Sequence, residues 1–249
     1  NAYRDLGRHV PAASAYRKAL ALNPDFLQAS LNYASMERQR GNTALAEALL
    51  LEALKRAPGS ADLKAHLGRV QEDKGDTASA AVNYRAAVAG NPDDTASAFN
   101  LGYLLMRQGN IAEASRYFEM VVERAPGDAE AWINLAQVLE LEGDYHQAVA
   151  YYRRAIQVNG RSPAPHFCLA RLYDQHDMFD EAEREYEAVL RLDPLHLKAL
   201  FNLGNLHLQL GNKERAFEYL RRLVRLKALG YEEIDDLSLK KIGETTAVN

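Results

Sequence analysis

The sequence predicts an all-α fold, a solenoid of stacked antiparallel helix hairpins, on three observations. Pro24, Pro58, Pro92, Pro126 and Pro194 recur every 34 residues, or at twice that spacing where Gly160 stands in the proline's slot. Seventeen positions ahead come turn residues, also 34 apart: Gly7, Gly41, Gly75, Gly109, Gly143, Asp177 and Gly211. Between these marks apolar residues fall at helical spacing, as with Ala98, Leu101 and Leu105 before Gly109 and Ile111, Ala114, Phe118 and Val121 after it. A fixed period of this length belongs to stacked units, each of which touches only its neighbours and needs no central core.

Taken in order, residues 1–26 supply the back of an earlier unit, and full units follow at 27–60, 61–94, 95–128, 129–162, 163–196 and 197–230. Each first helix carries a small residue in one slot: Ala34, Gly68, Gly102, Ala136, Ala170 and Gly204. Each second helix carries an alanine (Ala12, Ala46, Ala80, Ala114, Ala148, Ala182, Ala216) and, one turn on, a large residue (Tyr16, Leu50, Tyr84, Phe118, Tyr152, Tyr186, Leu220). Small against large lets the paired helices approach closely, and a bulky side chain in a small slot would overpack them. Gly109 and its equivalents sit where a helix C-terminus bends through the left-handed region, for which Asp177 is a tolerable substitute. Pro126 stops its helix and starts the next entry.

Unit 129–162 ends at Gly160 and runs into Arg161-Ser162-Pro163-Ala164-Pro165. Ser162 is expected to cap the next helix with Pro163 in its first position. Either an altered packing angle or simple drift in a tolerant linker fits this departure. After residue 230 the pattern lapses. Ile234 and Leu237 are expected to cover the last hairpin as a capping helix, with Glu232, Glu233, Asp235, Asp236, Lys240 and Lys241 facing water. Residues 244–249 read as a frayed tail, so the expected organisation is an array over 1–230 and a cap with tail over 231–249. Asn1 falls midway through a first helix, which suggests a piece of a longer protein.

Hydrophobic content of 47% with 26% charged residues is that of a folded chain rather than a disordered one. A net charge of −4 gives no reason to expect nucleic acid or an anionic membrane surface as partner, and no apolar run is long enough to span a bilayer. Cys168 is the only cysteine, which rules out an intrachain disulfide and suits the cytoplasm, although a cysteine-poor solenoid also survives in a bacterial periplasm. The compartment is left open; the arginine- and alanine-rich composition points toward a bacterial source.

The set of small, large, Gly and Pro positions resembles the tetratricopeptide repeat (TPR), most closely at Ala131-Trp132-Ile133-Asn134-Leu135-Ala136 with Gly143-Asp144-Tyr145, Ala148, Tyr152 and Ala155, and again from Ala199 through Gly204 to Ala216. The resemblance covers about residues 1–230. It implies a right-handed superhelix whose first helices line a concave groove, and a general role in holding protein or extended-peptide partners. The groove positions of the family carry over to Asn32, Asn100, Asn134 and Asn202 in one column, interrupted by His66 and Cys168. An amide donates and accepts, so such a column can grip a peptide backbone. Neighbouring positions add Phe99, Tyr103, Met106, Gln137 and the arginines Arg69, Arg107 and Arg171, with Arg69, Tyr103 and Arg107 the preferred cluster because Arg and Tyr are enriched at binding hot spots. Repeat proteins that clamp a chaperone's terminal carboxylate place Lys where this chain has Leu31, Ala65, Phe99, Ile133, Phe167 and Phe201, which argues against that subtype.

No catalytic, cofactor or metal residue is expected. His166 and Cys168 point in different directions on a helix, His166 takes the slot of Trp132, and His207 reads as a packed, hydrogen-bonded core imidazole. No phosphate loop or dinucleotide fingerprint is present. The expected function is a non-catalytic binding scaffold. The alternatives are a regulatory or substrate-docking region of a larger enzyme, or a structural part of a complex that self-associates through its repeat ends.

Overall fold

The structure, a computed structural model, describes residues 9–228. The expected cap and tail at 231–249, and the start of the partial repeat, lie outside the described residues. Among those described there are 13 helices and no strands. They are α1 (His9–Leu22), α2 (Leu27–Gln39), α3 (Thr43–Arg56), α4 (Ala61–Asp73), α5 (Thr77–Gly90), α6 (Thr95–Arg107), α7 (Ile111–Arg124), α8 (Ala129–Glu142), α9 (Tyr145–Val158), α10 (Pro163–Gln175), α11 (Phe179–Leu192), α12 (Leu197–Gln209) and α13 (Lys213–Ala228).

Local chemistry sets the helix ends. Asp76 accepts a hydrogen bond from the Ser79 N–H (3.1 Å), Asp94 from Ser97 (3.1 Å) and Asp128 from Ala131 (3.0 Å). Each such cap is worth about 1 kcal/mol. Ser162 caps α10 through the Ala164 N–H (3.4 Å) with Pro163 in the first turn, as expected. At the turn after α6, Gly109 has φ +80°, and the N–H groups of Gly109 and Asn110 bond the carbonyls of Met106 (3.0 Å) and Leu105 (2.9 Å). Asp177 makes the same turn at φ +57°, alone among the described non-glycine residues in having a positive φ.

The chain forms two compact units, Asn1–Pro126 and Gly127–Asn249. In the first, α1 packs on α2, and the hairpins α2/α3, α4/α5 and α6/α7 follow in series, each packed on the next. In the second, α8/α9, α10/α11 and α12/α13 do the same. First helices also meet side by side, α2 with α4 and α8 with α10. The core is the pair of expected columns: Ala46, Ala80, Ala114, Ala148, Ala182 and Ala216 are fully buried, and so are Leu50, Tyr84, Phe118, Tyr152 and Tyr186. The fit is close enough that a Cβ added to Gly68 would lie 2.8 Å from the Tyr84 ring, and one added to Gly102 3.1 Å from Phe118. No helix among the described residues is long and apolar enough to cross a membrane.

Candidate binding site

The second-helix tyrosines do more than fill gaps. In the first unit the Tyr84 hydroxyl, carried in from α5, donates to Glu72 Oε2 on α4 (2.8 Å), with Asn100 on α6 nearby. In the second, Tyr152 on α9 donates to Glu140 Oε2 on α8 (2.9 Å). Tyr186 on α11 lies near Asp174 on α10 and accepts from Asn202 Nδ2 on α12 (2.9 Å). Burial pushes all three phenols up from their ordinary pKa, and the neighbouring carboxylates push the same way. Each hydroxyl therefore stays protonated and works as a fixed strut. The sequence signal for the motif was available as an acid 12 residues before each tyrosine, repeating with the period of the array.

This arrangement decides what the asparagine column has to offer. Asn202 is tied to Tyr186 of the preceding hairpin, and Asn100 lies near Tyr84 of its own preceding hairpin. The second Nδ2 hydrogen and the Oδ1 of Asn202 make no hydrogen bond among the described residues. Asn32 Oδ1 accepts from Gln28 Nε2 (3.2 Å) on its own helix. Asn134 is 7% exposed and donates to the Glu130 carbonyl one turn back (2.9 Å). Asn32, Asn134 and Asn202 are thus oriented by their own chain, and the four amides differ in exposure.

The remaining candidates divide between the units. In the first, Phe99 lies edge-on to Phe118 (centroids 5.7 Å) and stays half-buried, as does Met106. Tyr103 is 39% exposed, with the exposed Arg107 guanidinium over its ring at 5.9 Å. Arg69, half-buried on α4, lies close enough to Tyr84 to offset part of the upward push on its hydroxyl. In the second unit, Gln137 Nε2 donates to Cys168 Sγ (3.8 Å), and Arg171 Nη2 sits 2.8 Å from Glu140 Oε1. Burial pushes the Cys168 thiol up, away from thiolate chemistry.

Among the described residues no group of three or more His, Cys, Asp or Glu side chains could hold a metal ion. His166 is half-buried, with Nδ1 2.6 Å from Glu185 Oε2. One expectation is corrected. His207 is fully buried and stacked on Tyr219 (centroids 5.7 Å), but neither ring nitrogen makes a hydrogen bond. Glu183, the nearest carboxylate, stands 3.5 Å from Nε2 and is engaged by Arg215. The stack on Tyr219 between α12 and α13 suits a flat ring at this position.

Comparison with known proteins follows the geometry. A tetratricopeptide repeat family model matches residues 1–61, 66–128, 99–164 and 169–230, and a second matches 139–190. The chain belongs to the TPR family. No curated protein matches it. Among solved structures it is similar to PilF of Pseudomonas aeruginosa, at 22% identity and a TM-score of 0.69, over 95% of this chain and 99% of that one. It is also similar to the C-terminal part of a TPR repeat-containing protein of Cytophaga hutchinsonii, at 15% identity and a TM-score of 0.75, over 96% of each chain. A third is YrrB, described as a TPR protein with an unusual peptide-binding site, at 19% identity and a TM-score of 0.62, over 78% of this chain and 97% of that one. At these identities the likeness shows the fold. Family and neighbours together support a protein-interaction scaffold.

Proposed function

We propose that this TPR protein is a non-catalytic scaffold that holds an extended peptide segment of a partner protein against the exposed side of its first helices, the side that lines the concave groove in its family. The observation that carries this reading is the contrast between the two helix sets. Second-helix columns are spent on the core. First helices keep a repeating row of half-exposed Asn, Arg and aromatic side chains, of which Asn202 is held in place by the buried Tyr186. Groups fixed before the ligand arrives lose little freedom on binding. The peptide-binding description of YrrB supports the same use of this fold.

The test is crosslinking capture of partners from the source cells, repeated with Asn100→Ala/Asn134→Ala and, separately, with Arg107→Glu. Both variants should lose partner capture while circular dichroism and melting temperature stay close to those of the parent. Undiminished capture by both would place the site elsewhere on the chain.

A further inference from the structure

We infer that a cleft formed by α1, α2 and α3 receives an indole side chain from a partner peptide, at a site distinct from the groove. None of the residues assigned to the groove lines this cleft. Its origin lies in one slot of the repeat, where the fourth residue of a first helix meets a second-helix residue 19 positions on. In the C-terminal unit that slot is filled. Trp132 on α8 packs on Tyr151 of α9 (centroids 5.2 Å), with the Arg154 guanidinium 6.0 Å over its ring. His166 on α10 lies 2.6 Å from Glu185 of α11. Three periods before Trp132 and Tyr151 the same positions hold Ser30 and Leu49, both smaller. There the chain leaves a cleft of about 370 Å³, within the size range of small-ligand sites.

The lining matches an indole in electrostatics as well as in size. Leu20, Leu49 and Ala53 give apolar walls, together with the buried Tyr33. Tyr33 is stacked on Tyr16 (centroids 5.8 Å), so that wall is set before a ligand arrives. Three exposed charged residues also line the cleft: Arg17 from α1, and Glu52 and Arg56 from α3. An indole has a negative ring face and a positive N–H edge. The guanidiniums suit the face, as Arg154 does over Trp132. Glu52 suits the edge. Its Oε2 is 2.9 Å from Lys55 Nζ and its Oε1 3.0 Å from Arg56 Nη1, and a carboxylate has lone pairs to spare beyond two such contacts. An aliphatic side chain would fill the volume and use neither feature. Pro24 lines the cleft too, and the exposed Leu22 and Phe26 flank it in sequence, offering apolar surface to the residues beside the indole.

The experiment is fluorine NMR on the whole chain, with a short uncharged peptide that carries fluorotryptophan at its centre. Fluorine reports only the probe, so Trp132 does not interfere. The line should shift or broaden as protein is added, and an unlabelled Trp peptide should displace the probe about ten-fold better than its Leu twin. Ser30→Trp should fill the slot from within, as Trp132 does, and weaken probe binding about ten-fold or more with unchanged circular dichroism. Ser30→Leu is the second fill and should act the same way; the equivalent Leu200 is fully buried. Asn100→Ala and Arg107→Glu, both in the groove, should leave probe binding unchanged. No binding to the parent, equal displacement by the Leu twin, or undiminished binding after Ser30→Leu would overturn the proposal. Loss of binding in Asn100→Ala alone would overturn it as well, and would count in favour of the groove.

Discussion

Replacing Gly68 by alanine puts the small-against-large packing to a direct test. The new Cβ would lie 2.8 Å from both Cδ1 and Cε1 of Tyr84, well inside ordinary van der Waals contact. A flexible neighbour could yield, but this ring is fully buried and its hydroxyl is held by Glu72 at 2.8 Å. The strain should therefore fall in the upper part of the usual overpacking range, about 2–3 kcal/mol. Against it, alanine is a better helix former than glycine by about 1 kcal/mol. The net expectation is a loss of about 1–2 kcal/mol. Urea unfolding measures it, and amide hydrogen exchange localises it, because a repeat array need not unfold in one step. Lost protection should concentrate in α4 and α5. Adding Tyr84→Leu to Gly68→Ala should restore part of the loss, since it recreates the Ala34 and Leu50 combination that packs in the unit 27–60. A Gly68→Ala protein as stable as the parent, or stabilised by the propensity gain, would refute the claim that the hairpin spacing is fixed by this contact.

Asp177→Gly should stabilise the C-terminal unit by up to about 1 kcal/mol in urea titrations, because it removes the cost of a Cβ at φ +57° while Asp177 has no ion pair to lose; destabilisation would mean that its side chain supports the turn. Burial holds the His207 imidazole below its ordinary pKa, with Glu183 pulling it back up and Arg215 pushing further down. The folded pKa lies under the unfolded one, so the associated stability is present above the unfolded value and is lost as pH falls through it toward the folded one. Protection factors in α12 and α13, with the intrinsic pH dependence of amide exchange divided out, should accordingly fall between about pH 7.5 and 5.5, more in the parent than in His207→Phe; identical profiles would remove His207 as the cause.

The period of 34 residues, the hairpin turns and the buried columns were all legible in the chain, because they follow from rules that act within one repeat. A left-handed turn wants Gly109, a close helix approach wants Gly102, and the large residue facing it must be apolar or aromatic. The binding face was legible as a set of positions but not as a chemistry. Sequence position alone did not show that Arg38 and Asp73, 35 residues apart, and Arg171 and Glu140, 31 apart, neutralise one another across adjacent first helices. Tyr84, Tyr152 and Tyr186 read as gap fillers, whereas the first two hydroxyls are anchored to acids of the partner helix and the third to Asn202. Nor could residue type alone reveal that His207 would be enclosed without a hydrogen bond. Helix and turn formation is decided by neighbours along the chain, so a repeating pattern writes it plainly. Which charges pair depends on where long side chains end once separate helices are stacked, and only the folded arrangement joins Arg38 to Asp73 and Arg171 to Glu140.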